Sequence, residues 1–107
     1  IMECKKIAAM AETYYAAIAP HNPLGPIALA ACIQLDACIP NFLFQEQVNL
    51  GGGYLKKPFV MKDGYVELPR EPGLGIELDD ELVKEKIYGG EWENPRLYHE
   101  NGSVADW

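Results

Sequence analysis

Two ionisable side chains each stand just past a short apolar run. His21 follows Ala16-Ala17-Ile18-Ala19-Pro20, and Glu46 follows Phe42-Leu43-Phe44-Gln45. An imidazole exchanges protons near neutral pH, so His21 is a candidate general acid or base. It lies in a loop where Pro20, Pro23 and Pro26 fix much of the backbone, and this limits the drift that weakens catalysis. Glu46 has two chemical options. As a carboxylate it is an acceptor or an ion-pair partner; held protonated by burial, it donates a hydrogen bond to charge developing on a substrate. Gln45 and Gln47 flank it and, in an extended strand, point the opposite way. The bland alternatives are a structural histidine and a salt-bridging glutamate at a strand end.

These positions need elements to hold them. Met2 to Tyr15 has helical spacing, with Ile7, Met10, Ala11 and Tyr14 on one stripe. The segment to Ala19 reads as a parallel strand buried on both faces, ended by Pro20, which has no N–H to donate. Gly25 to Cys38 reads as a buried, alanine-rich helix with Pro26 in its first turn. Pro40 ends it, and the second strand runs through Phe42–Gln45. The result is a strand–helix–strand unit with parallel strands about 4.8 Å apart. Ligands of parallel α/β folds sit at the C-terminal ends of the strands, so His21 and Glu46 are expected to face one pocket.

After Glu46 the texture changes. Gly51-Gly52-Gly53 marks a boundary and is not a phosphate loop, because no Lys-Ser/Thr follows. Asp63-Gly64 between two apolar runs predicts a two-residue hairpin. Asp79-Asp80-Glu81 opens a short helix through Ile87, with acids where the helix dipole favours them. Asn101-Gly102 marks a turn in the tail, where His99 is read as surface and Trp92 and Trp107 as packing anchors. Cys4, Cys32 and Cys38 are odd in number and fit no zinc spacing, so they read as small buried thiols of a reducing cytoplasm.

The chain has 107 residues, 16 acidic against 9 basic, and a formal charge of −7. With no Lys/Arg cluster, this charge argues against nucleic acid or an anionic membrane as partner. No apolar run approaches the roughly 20 residues of a membrane span. The start at Ile1 inside a helical pattern, and two strands that cannot bury both faces alone, are those expected of a piece of a longer polypeptide. A full eight-fold barrel takes about 250 residues, so the chain would be roughly its last quarter plus an extension.

The string Ala19-Pro20-His21-Asn22-Pro23-Leu24-Gly25-Pro26-Ile27-Ala28-Leu29-Ala30-Ala31 resembles the seventh-strand segment of sugar-acid dehydratases in the enolase superfamily, of mandelate racemase/muconate lactonizing enzyme type and closest to its galactonate-type branch. Lys6–Glu12 is similar to that family's sixth barrel helix, and Phe44-Gln45-Glu46-Gln47 to its eighth strand. Pro72–Glu77 and Asn101–Trp107 resemble its ending.

The resemblance implies an α/β fold: the C-terminal part of a modified (β/α)7β TIM-type barrel over residues 1–48. Residues 49–107 would return to an α+β capping domain. It implies a Mg²⁺-dependent dehydratase of an aldonic acid, giving a 2-keto-3-deoxy sugar acid. His21 would abstract the C2 proton, Glu46 would stabilise the enediolate, and His21, Pro23 and Glu46 would line the substrate. The metal ligands, on the third to fifth strands, and the histidine that expels the 3-hydroxyl would precede Ile1. The isolated chain is therefore expected to be inactive. The expected partners are the rest of the barrel and further copies of the same protein in a cytoplasmic homo-oligomer. The competing readings are a non-catalytic barrel remnant serving as a binding or scaffold subunit, and an autonomous α+β interaction domain.

Overall fold

The computed structural model describes residues 1–90 and 96–105. Five elements are formed: α1 (Met2–Glu12), α2 (Pro26–Asp36), β1 (Met61–Lys62), β2 (Tyr65–Val66) and α3 (Asp80–Lys84).

Helix α1 carries a Glu3–Lys6 pair at 2.8 Å on its exposed side. It stops at Glu12, short of the expected Tyr15. The Tyr15 N–H donates to Glu12 O and the Ala16 N–H to Ala11 O, while Tyr15 sits at φ 57°. This is a Schellman-type exit with tyrosine in the left-handed position that glycine usually fills, so no glycine announces it in the sequence. The expected stripe of Ile7, Met10 and Tyr14 is exposed, and the buried residue is Ala8. Ala8 packs with Leu35 and Ile39, with half-buried Ile18 against them. The contact of α1 with α2 is made through this small alanine, while Ile7, Met10 and Tyr14 remain exposed.

Helix α2 starts at Gly25 with Pro26 as its first residue, where a missing N–H costs nothing. It buries Pro26, Leu29, Ala30, Ile33 and Leu35. It ends at Asp36, two residues before the expected Cys38. The thiols correct the sequence reading: Cys4 and Cys38 are exposed, Cys32 is half-buried, and all three are free.

The two expected strands meet as one parallel bridge, Ile18 with Phe42. The Ile18 N–H donates to Asn41 O at 2.8 Å, and the Leu43 N–H to Ile18 O at 2.9 Å. The pairing is parallel as expected, but narrower, because Pro20 has no N–H with which to extend it. Burial on both faces is not found: Ala16, Ala17 and Ala19 are exposed, as are Phe42, Leu43 and Phe44. Asn41 stitches the start of this unit together, its Nδ2 donating to Ala8 O at 3.0 Å and to Ala16 O at 2.9 Å.

Gly51–Gly53 forms a hydrogen-bonded turn, with the Leu55 N–H donating to Gly51 O and Asn49 Oδ1 accepting from the Gly51 N–H. Strands β1 and β2 pair antiparallel in the register Met61–Val66 and Lys62–Tyr65. Asp63 and Gly64 both have positive φ, the geometry the Asp-Gly pair predicts. Leu55 bridges Leu78 antiparallel, and α3 is capped by the Asp79 side chain, which accepts from the Leu82 N–H. Gln34 of α2 donates to Leu74 O at 3.4 Å and so ties the later segment back to the helix. His99 is exposed beside the Asn101-Gly102 turn. The proposed packing roles of Trp92 and Trp107 fall outside the described residues.

Candidate functional site

The parallel bridge fixes the positions of His21 and Glu46. Three residues past Ile18 the chain reaches His21; four past Phe42 it reaches Glu46. Both lie beyond the C-terminal ends of adjacent strands, and their tips meet: His21 Nε2 stands 3.6 Å from Glu46 Oε2. That is ion-pair range once the imidazole carries a proton. The side chains are 79 % and 43 % exposed, so both are open to a ligand. Among the described residues nothing buries Glu46 as a protonated carboxyl would require.

Glu46 Oε2 also accepts the Asn22 backbone N–H at 2.6 Å. One carboxyl oxygen is thus held at the loop. Asn22 itself is only 2 % exposed, with neither side-chain amide atom partnered among the described residues. Pro23 follows it and is exposed. Next to Glu46, Gln45 Nε2 donates to Pro20 O at 3.1 Å and to the carbonyl of Glu46 at 2.6 Å. Gln45 was expected to point away from the site, yet Gln45 and Glu46 both reach the 20–22 segment. Regular alternation has already lapsed there, since no ladder extends past the single bridge.

The structure brings His21 and Glu46 together and leaves Pro23 exposed, and it adds backbone contacts from Gln45 and to Asn22 that sequence reading missed. Their signal was faint: a polar pair across from a proline whose carbonyl needs a donor.

A concavity of about 290 Å³ lies at the opposite end of the strand pair, lined by Glu12, Tyr15, Ala16, Ala17, Pro40, Asn41 and Phe42. It holds neither member of the pair. Among the described residues no three His, Cys, Asp or Glu side chains gather to hold a metal. The described part of this chain therefore does not by itself fit a Mg²⁺ centre, and the proton chemistry it offers is that of an imidazole beside a carboxyl.

Comparison with known proteins gives the setting. The whole chain is 48 % identical over 118 residues to D-galactonate dehydratase of Cronobacter sakazakii, covering 31 % of that protein. The chain thus spans about a third of the length of the curated relatives it matches. The crystal structure of a mandelate racemase/muconate lactonizing enzyme from Sulfitobacter sp. superposes with a TM-score of 0.77 and 40 % identity, over 91 % of this chain and 26 % of that one. An enolase from Agrobacterium radiobacter, with sodium and L-malate bound, gives a TM-score of 0.79 at 28 % identity over 97 % of this chain and 31 % of its own. Residues 1–82 match the family of enolase C-terminal domain-like proteins, and the chain belongs to that family.

Proposed function

We propose that this chain works as the C-terminal third of a sugar-acid dehydratase acting on D-galactonate or a closely related aldonate. The observation that carries the reading is the His21–Glu46 pair, 3.6 Å apart beyond two parallel-bridged strands. The names of similar proteins support the substrate class. D-galactonate dehydratase matches the whole chain, and the Agrobacterium radiobacter relative holds L-malate, itself a 2-hydroxy acid.

The chemistry follows from the two groups. Neutral His21 takes the C2 proton of the aldonate, and the C–H electrons pass into the carboxylate to form an enediolate. The Asn22 N–H holds Glu46 by Oε2, and Glu46 would donate a hydrogen bond to that charge from Oε1 once neighbouring barrel elements bury it. The enediolate then collapses, the C2–C3 double bond forms, and the 3-hydroxyl leaves as water with a proton from a general acid outside this chain. The enol product ketonises to the 2-keto-3-deoxy acid. Pro23 shapes the edge of the substrate site.

The rest of the assembly is part of the proposal. Residues 1–48 would complete a modified (β/α)7β barrel, and residues 49–107 would return to an α+β cap. Exposed Phe42, Leu43 and Phe44 are then the surfaces that other barrel elements cover, as contiguous apolar exposure marks an interaction site. Any Mg²⁺ would take its ligands from outside the described residues.

The test is turnover of an aldonate panel by the full-length protein, followed by detection of the 2-keto-3-deoxy product. Dehydration of D-galactonate, with none by residues 1–107 alone, supports the proposal. Failure of the full-length protein on every aldonate refutes it.

A further inference from the structure

Two consecutive side chains grip the backbone on either side of His21. Gln45 Nε2 donates to the carbonyl of Pro20, the residue before it, at 3.1 Å. Glu46 Oε2 accepts the N–H of Asn22, the residue after it, at 2.6 Å. Between these points the imidazole is the free group, and no hydrogen bond within the described residues holds the ring itself.

The chemistry of Gln45 fixes its orientation. Its Nε2 faces two carbonyl oxygens, those of Pro20 and Glu46. A flipped amide would set oxygen against oxygen. Its own Oε1 is buried without a partner, which is unfavourable for an amide. An apolar residue of similar length would avoid that loss but could not donate to Pro20. Asn22, buried at 2 % exposure, anchors the far side of the same loop.

The geometry points to Gln45 as a positioning residue for His21. With Glu46 it brackets the histidine's backbone and sets the 3.6 Å approach of imidazole to carboxyl. This inference rests on the dehydratase reading for its kinetic consequence but not for its structural one. Gln45 touches neither substrate nor reacting atoms; it acts through the Pro20 carbonyl.

The experiment compares wild type, Gln45→Met and Gln47→Met in the full-length protein. Gln45→Met keeps the length and loses the donor; Gln47→Met is the matched control. Crystal structures are expected to show the His21 Nε2–Glu46 Oε2 separation lengthened by about 1 Å in Gln45→Met alone. Displacement of that order costs about 10- to 100-fold in rate, so kcat is expected to fall by that factor with KM within about twofold. Rescue of kcat by Gln45→Asn, which keeps the amide donor on a shorter arm, is expected to be partial, as a positioning role requires. Where Gln45→Met does not fold, Gln45→Glu is equal in size, opposes two carbonyls with a third oxygen and carries the same test with a larger expected loss. An unchanged His21–Glu46 distance overturns the inference. So does a raised KM with unchanged kcat, which would make Gln45 a substrate contact. If wild type dehydrates no aldonate, the functional reading fails, while the crystallographic distance still decides the role of Gln45.

Discussion

His21 and Glu46 were legible as a pair because each closes an apolar run, and the parallel bridge sets those runs side by side. What the pair lacks among the described residues is a dry environment: the Glu46 side chain is 43 % exposed and that of His21 79 %. The electrostatic role of Glu46 therefore depends on what the rest of the protein places over it. Under the proposed chemistry, His21→Asn in the full-length protein removes the base, and kcat is expected to fall by about 10²- to 10⁴-fold with little change in KM. Glu46→Gln keeps an acceptor for the Asn22 N–H but removes the ionisable proton. Its expected loss in kcat is about 10²-fold, measured by the same product assay. Asn22 and Gln45 were harder to read, because their contributions run through backbone atoms that side-chain chemistry does not advertise.

Among the elements, the helices and the hairpin were readable and their ends were not. The Asp-Gly hairpin formed as its turn chemistry demands, while α1 ended at a tyrosine in a position that glycine normally signals. Helix α2 ends on Asp36, a negative charge at the negative end of the helix dipole. Burial raises its carboxyl from 3.8 to about 6, and its Oδ1 has no partner. An acid whose folded pKa lies above its unfolded value binds its proton more tightly in the native state. Stability from this group is therefore present at low pH and declines as pH rises from about 4 to about 6. Asp36→Asn is expected to raise thermal stability at pH 7.5 by about 1 kcal/mol, a figure discounted for solvent screening of a half-buried group, and to be neutral at pH 4. Melting curves of both forms at the two pH values check this. Gly75 gives the opposite case. It sits at φ 72°, and a Cβ there would lie 2.4 Å from Pro69 Cβ. Gly75→Ala is expected to destabilise by about 2 kcal/mol or more, read from the denaturant midpoint.

Residues 1–107 are loosely packed for their number. Their radius of gyration is 17.2 Å, where a compact domain of this length has about 13 Å. Among the described residues Ala8, Leu35 and Ile39 pack together as a buried cluster, while Phe44, Leu43, Met10 and Tyr14 stand exposed. Among the described residues no helix is long and apolar enough to cross a membrane. The strand–helix–strand logic was visible in the sequence because it is local, whereas burial was not, because it depends on contacts between segments far apart in sequence. Residues 1–107 alone are accordingly expected to melt over a broad range by circular dichroism, without the sharp transition of a two-state domain. A steep transition would favour the autonomous interaction domain instead.

The claim on which all of this depends is that His21 moves the proton at C2. Full-length protein incubated with D-galactonate in D₂O, and followed by NMR for loss of the C2 proton, tests it most directly. The account predicts loss of that proton with wild type and its retention with His21→Asn, under conditions where the variant still binds the aldonate. Loss of the C2 proton at comparable rates with both proteins would contradict it.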